Sequence, residues 1–294
     1  MTPTRADPRF EFGENWARFL THLNDERIAV AEASLCEWLS VTNLSGLRFL
    51  DVGSGSGLFS LAARRLGARV HSFDYDSRSV ACTNEVRRRY SGDDGDWIVE
   101  RGDALDEAWL TKLGRFDVVY AWGVLHHTGN MWRALDLVVP LLAPQGKLFI
   151  AIYNDQGRKS RAWRLVKRAY NALPGLAKLL LLIPSMMAVW GPAIARDLVI
   201  GKPFDTLRTY ARRRGMSPWQ DLVDWVGGFP FEVARPEEVF DFLRDRGLVL
   251  TKLATCAGAL GCNQFVFVAP ASHGEATGTI LNDDAQRPNP TGKA

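Results

Sequence analysis

The chain has 294 residues, 47% of them hydrophobic, with a net charge of +3 at pH 7 and four cysteines. That length and apolar content bury one large core, or one core with an added lobe, as expected of a soluble enzyme. Cys36, Cys82, Cys256 and Cys262 lack C-x-x-C spacing, which argues against a zinc knuckle or a disulfide framework. Residues 1–9 are polar with no apolar signal core, so the cytoplasm is the expected compartment.

Residues 10–46 read as lead-in helices, with Phe12, Trp16, Phe19, Leu20 and Leu23 at helical spacing. The stripe is expected to pack, with Phe12 and Trp16 as lid residues and Trp16 as a candidate substrate contact. The strongest signal follows at residues 49–59. An apolar run stops at Asp51 and turns through Gly53, Ser54, Gly55 and Gly57 into a helix at 58–66. Glycine accepts positive φ, and its missing side chain lets a ligand lie on the main chain, while the helix adds the positive end of its dipole. There is no Gly-Lys-Ser/Thr, so this is not a P-loop, and glycine falls at every second position where a dinucleotide fingerprint reads G-x-G-x-x-G.

A second strand over 68–73 ends at Asp74, whose carboxylate can accept both hydroxyls of a ribose. A helix over 77–90 leads to a third strand from Trp97 that closes on Asp103 and Ala104. Strand four spans 116–123 and strand five 146–153. Strands alternating with helices at this rhythm form a parallel sheet whose ligands sit at the strands' carboxyl ends. The fold class is therefore α/β: a Rossmann-like, seven-stranded, mostly parallel sheet with a helical insertion after strand five.

That insertion, 154–231, separates a core of 47–153 and 232–270 from an inserted lobe. Residues 156–216 hold thirteen Lys or Arg against Asp197 and Asp205, so this stretch of the lobe is about +11 and the rest of the chain about −8. Within it, residues 179–190 form an apolar run that reads as too short and too Pro-broken to span a bilayer, which needs roughly 20 apolar residues. Basic faces beside apolar helices suit docking on anionic lipid, holding nucleic acid, or lidding a pocket with the charges in water. As a lid, Met186, Met187 and Trp190 would line an adaptable apolar wall. The lobe's apolar helices are also able to pair between subunits as a homo-oligomer. Residues 214–217 and 221–232, dense in glycine, aromatics and acids, read as an active-site rim or a tight structural crossing. Tyr153, Asn154 and Asp155 at the end of strand five, with Asp224 and Trp225, join the candidates. A helix over 236–247, with Pro236 near its start and Gly247 at its end, precedes an antiparallel pair at 248–255 and 263–269. The Gly-, Asn- and Pro-rich stretch 271–294 reads as a disordered tail.

On these motifs the chain resembles the class I S-adenosylmethionine-dependent methyltransferases over 27–153 and 236–270. The resemblance implies that Asp51 and the loop of Gly53, Ser54, Gly55 and Gly57 line the methionine and ribose of the cofactor. Asp74, with Tyr75 beside it, would hold the ribose, Asp103 and Ala104 would meet the adenine, and Trp122 would end strand four beside the methyl sulfonium. More closely, the chain resembles the ubiquinone-biosynthesis O-methyltransferase branch, which places an arginine on the cofactor carboxylate where Arg27 stands. That branch carries an acid, acid, histidine trio after strand four. Here Gly123 and His126 replace the acids and His127 alone matches, so no metal set is assigned.

Methyl transfer is an in-line displacement in which the protein aligns the acceptor and, where needed, takes its proton. His127 is the first candidate base and His126 the second, with Tyr153 and Asp224 in reserve for positioning. The leading expectation is a methyltransferase acting on a small molecule, at oxygen. Two alternatives stay open: an RNA-modifying methyltransferase whose basic lobe grips phosphates, and a cofactor-binding scaffold without catalysis.

Overall fold

A computed structural model describes residues 10, 20, 23–92, 95–214 and 218–271. Phe12, Trp16 and Phe19 of the lead-in stripe, and residues 272–294, lie outside them. The apolar runs become strands β1 (Arg48–Val52), β2 (Arg69–Asp74), β3 (Trp97–Arg101), β4 (Phe116–Trp122), β5 (Leu142–Tyr153), β6 (Val249–Ala254) and β7 (Cys262–Val268). They form one sheet of order β3-β2-β1-β4-β5-β7-β6, parallel except for β7, which runs antiparallel to both β5 and β6. Two strand bounds differ from the sequence reading by more than one residue. β3 stops at Arg101, before the acid at Asp103, and β5 begins at Leu142, with its pairing to β4 shifting register between Phe116 and Val118.

Helices cover both faces, so the central strands are buried on both sides. Phe49 and Leu50, adjacent on β1, enter opposite apolar clusters, as the period of two along a strand requires. One cluster packs Phe49, Val70, Tyr120 and Phe149 against α1 (Asp25–Leu39), α2 (Leu58–Arg65) and α3 (Ser77–Tyr90). The other packs Leu50, Val119, Ile150 and Phe265 against α5 (Met131–Val138) and α10 (Pro236–Arg244), with the single turn α4 (Glu107–Leu110) at its edge. The helix starts obey local rules. Asn24 and Asp76 accept backbone N–H groups of Arg27 and Arg78 as caps, and α10 opens with Pro236 and with the Glu238 carboxylate accepting the Arg235 N–H.

The inserted lobe contains α6 (Arg158–Ala172), α7 (Leu179–Val199), α8 (Asp205–Arg214) and α9 (Pro218–Gly227), around a small cluster of Tyr170, Leu182, Trp190, Leu222 and Val226. Here one expectation fails. The run expected to be broken at proline is a single helix that continues through Pro184 and Pro192, and Gly175–Val199 is long and apolar enough to cross a membrane. Both prolines are exposed, as are Leu180 and Ala188, whose carbonyls lose their donors to the rings, so the missing bonds fall on the outer side of the helix.

Candidate active site

The carboxyl ends of β1, β2 and β3 converge on the glycine loop. Gly53, Gly55 and Gly57 adopt φ of 73°, 54° and 77°, which only glycine takes without strain. The close approach they permit is partly to the protein itself. A Cβ on Gly57 would lie 2.9 Å from the Thr83 backbone of α3, and one on Gly53 would lie 2.4 Å from the Val124 side chain. Ser54 is buried and shares a 2.9 Å hydrogen bond with the Thr83 hydroxyl.

Asp74 fastens the loop. One carboxylate oxygen accepts the Gly55 N–H and the other the Asp76 N–H, both at 2.9 Å. Burial raises its pKa to about 6, so at neutral pH it is mostly ionised, and each oxygen keeps acceptor capacity. Asp51 is sealed deeper. It accepts the Ser60 hydroxyl, which is 2.7 Å from the Ser72 hydroxyl, and Ser72 in turn accepts the Trp97 indole N–H at 2.9 Å. Burial pushes Asp51 up to about 7, the Ser60 bond opposing the rise. This chain ties β1, α2, β2 and β3 together, so Asp51 buttresses the loop from behind. Asp103 accepts the Leu105 N–H at 2.9 Å in the turn after β3, beside buried Ala104. Tyr75 is exposed, with the Arg101 guanidinium 5.7 Å from its ring centroid. Trp122 ends β4 at 43% exposure and donates its indole N–H to Gln264 at 3.0 Å. Arg27 lies in the first turn of α1, which packs on α2 through Ile28, Leu35, Leu61 and Ala62. An acid at or near the carboxyl end of each of three strands, one with both oxygens still able to accept, fits a nucleoside laid across the sheet end.

Beyond β4 and β5 lies a second, aromatic cluster. Tyr153 meets His126 at 4.0 Å, Phe231 at 5.3 Å and His127 at 5.5 Å between ring centroids. The Nδ1 of His127 lies 2.7 Å from the Pro230 carbonyl, which fixes N–H there and leaves Nε2 as the acceptor. Burial lowers His127 to about 3 and takes His126 well below its ordinary value, so both are neutral at pH 7. His126 is buried, and its Nδ1 has no hydrogen-bond partner among the described residues. The segment 229–234 closes over this cluster, with the Glu232 N–H donating to the His126 carbonyl and the Ala234 N–H to the Tyr153 carbonyl, each at 3.0 Å.

Lys167 of α6 was not singled out in the sequence. It is fully buried, with Nζ 4.5 Å from the Trp225 ring centroid, 4.7 Å from that of Phe231 and 5.8 Å from that of Tyr153, and it donates to the Trp225 carbonyl. Burial lowers it to about 7, while the Asp224 charge pulls the other way. A cation in an aromatic cage is stabilised by the ring faces, which accounts for a lysine at this depth. Nothing marks it among thirteen cations of the lobe except its place between Val166 and Tyr170 on the inward side of α6.

Other candidates land elsewhere. Asn154 is spent on structure, accepting from Asn263 at 3.1 Å and donating to the Ala259 carbonyl at 3.2 Å. The apolar wall of Met186, Met187 and Trp190 does not form. Met186 and Trp190 enter the lobe's own cluster, whereas Met187 is 59% exposed on the outer side of α7, because successive helical residues differ by about 100° in direction. Asp224 and Trp225 do reach the histidine cluster, through Lys167. Trp16 lies outside the described residues.

A fold of this order, with a glycine loop and acid-ended strands, defines a class I methyltransferase. A family model described as a methyltransferase domain matches residues 16–180, and the chain belongs to that family. It is 33% identical over 111 residues to a ubiquinone biosynthesis O-methyltransferase of Xanthomonas euvesicatoria pv. vesicatoria, across 38% of this chain and 45% of that relative. It is 31% identical over 189 residues to the enzyme of that name from Methylocella silvestris, across 57% of this chain and 72% of the relative. The chain thus spans a little under half the length of several curated relatives that it matches. The magnesium protoporphyrin IX methyltransferase of Synechocystis PCC 6803, solved with bound SAH, shares the fold at a TM-score of 0.52 and 13% identity, across 87% of this chain and 93% of that one.

Proposed function

We propose that the protein transfers a methyl group from S-adenosylmethionine to an oxygen of a small-molecule acceptor, in the cytoplasm, with His127 taking the acceptor's proton. When bound across the sheet end, S-adenosylmethionine supplies a methyl group activated by a sulfonium. Asp74 would accept the ribose hydroxyls, Asp103 and Ala104 would meet the adenine, and Arg27 would pair with the carboxylate. The Gly53–Gly57 loop and Trp122 would form the walls between.

The observation that carries the acceptor assignment is the cluster of His126, His127, Tyr153 and caged Lys167 directly beyond Trp122. A base held near pKa 3 does not ionise a hydroxyl in the resting state. It can accept the hydroxyl's hydrogen bond through Nε2, aligning an oxygen lone pair for in-line attack. As the O–C bond formed and the methyl's bond to sulfur broke, releasing S-adenosylhomocysteine, the acceptor oxygen would become positively charged and far more acidic than His127, so its proton would cross to Nε2 late. Burial, with a smaller contribution from Lys167, keeps the histidines neutral, and the 229–234 segment covers them. The ubiquinone O-methyltransferase relatives support oxygen as the acceptor atom.

Methylation of RNA is the second reading, favoured by the lobe's cations alone; the histidine cluster is walled by aromatic rings and opens no basic stripe. Release of S-adenosylhomocysteine should be followed against a panel of hydroxylated aromatics, matched amines and thiols, and total RNA. Turnover with hydroxylated compounds, lost in His127→Ala while cofactor binding persists, is the expected result. Turnover on RNA, or full turnover in His127→Ala, contradicts the assignment.

A further inference from the structure

The outer face of α7 is apolar and has no partner among the described residues. Leu176, just before the helix, Leu180, Ile183 and Met187 recur at steps of four, three and four, so they share one side. They are 84%, 73%, 55% and 59% exposed, and Val199 at the far end is 88% exposed. Only 17% of the apolar window within Gly175–Val199 is buried. A contiguous apolar face of this length on a water-soluble surface marks a contact with something else.

Charge selects the partner. The lobe's thirteen cations outnumber its five acids, Asp155, Asp197, Asp205, Asp221 and Asp224. One of these, Asp197, is buried and accepts both the N–H and the hydroxyl of Thr206, at 2.7 and 2.8 Å. The charge around α7 is thus predominantly positive, with Arg196 and Lys202 exposed at its end and Lys178 half-buried at its start. We propose that α7 docks the protein on an anionic lipid bilayer, lying in the plane of the interface with Leu176, Leu180, Ile183 and Met187 among the acyl chains and the lobe's exposed cations, such as Arg196 and Lys202, on headgroup phosphates.

Two other occupants fit less well. A bilayer-spanning α7 would have to leave the lobe, stripping the Asp197–Thr206 bonds and opening the cluster around Leu182 and Trp190. A second copy would bring two like-charged lobes together across a two-fold axis. Docking places the membrane beside α6 and α9, the helices that carry Lys167 and Trp225.

The test is co-sedimentation of the full chain with phosphatidylcholine vesicles containing or lacking phosphatidylglycerol, at low and high salt, with light scattering of the free protein. Partition onto anionic vesicles is expected, weakening by about tenfold or more without the anionic lipid or in high salt. The double variant Leu180→Asn, Ile183→Asn should lose about tenfold or more of that partition. Calorimetric binding of S-adenosylhomocysteine should stay unchanged in the variant, which separates lost docking from lost fold and from failure of the methyltransfer reading. Absence of partition, or equal partition by the variant, overturns the proposal. So does a dimer that the variant breaks, which assigns the face to a second copy. Vesicle-bound protein that resists high salt and alkaline extraction overturns it in favour of a spanning helix.

Discussion

Asp74→Asn probes the cofactor side most sharply. The carboxylate holds the Gly55 and Asp76 amides, one on each oxygen, and would accept a ribose hydroxyl beside each. The amide keeps one acceptor and turns an NH2 toward either a backbone N–H or a hydroxyl. Hydrogen bonds to a charged group contribute about 1.5–3 kcal/mol each, so the substitution should cost about 2–4 kcal/mol of binding, or roughly 30- to 1,000-fold in Kd. The acid's pKa is raised in the folded protein from 3.8 to about 6, so the apo fold is stabilised relative to neutral pH as pH falls through 6 toward 3.8. Ribose hydroxyls favour the ionised form, which reverses the sign for binding: affinity is full above pH 6 and falls by up to about tenfold per unit below it. Calorimetry with S-adenosylhomocysteine, which lacks the sulfonium charge, measures both effects in wild type and Asp74→Asn. Binding within twofold of wild type, with the pH dependence intact, would show that Asp74 only braces the Gly55 turn.

Ser60→Ala removes the hydroxyl donated to buried Asp51. It should cost about 1.5–3 kcal/mol, read as a Tm drop of several degrees in calorimetry, and an unchanged Tm would discount the Asp51–Ser60–Ser72–Trp97 chain. Gly57→Ala combines φ of 77° with a Cβ 2.9 Å from the Thr83 backbone. A loss of about 1–3 kcal/mol is expected in urea unfolding, together with weakened cofactor binding. His127→Gln should lower kcat on the identified acceptor by about 100-fold or more with unchanged Kd for S-adenosylhomocysteine. Lys167 is depressed from 10.5 to about 7 in the folded protein, so between those values the unfolded chain binds the extra proton and stability rises with pH. Lys167→Met should flatten that rise in Tm between pH 7 and 10.5, and an unaltered profile would place the titration on another group.

The sheet and its cofactor end were legible because each signal is local. Strands that end at or near Asp51, Asp74 and Asp103 announce their ends in the chain itself, and alternate glycines mark a loop that needs positive φ whatever packs against it. Gly57 shows the limit: the sequence demanded glycine, but the partner demanding it, Thr83 on α3, is visible only in three dimensions. On the acceptor side the signal is not local. Lys167 is one cation among many until α6 turns it between Trp225 and Phe231. Asn154 looked available because Asn263, which occupies it, is more than a hundred residues away. The prolines of α7 read as breaks in sequence, yet the helix continues through both, with their rings on the exposed side where they displace no packing neighbour.

The most direct test of the account is a crystal structure with S-adenosylhomocysteine bound. The ribose hydroxyls should lie within hydrogen-bond distance of the Asp74 carboxylate, with the sulfur between Trp122 and the His126–His127–Tyr153 cluster. Ligand bound away from the Gly53–Gly57 loop, or with its sulfur turned from the histidines, would contradict both the cofactor assignment and the proposed acceptor site.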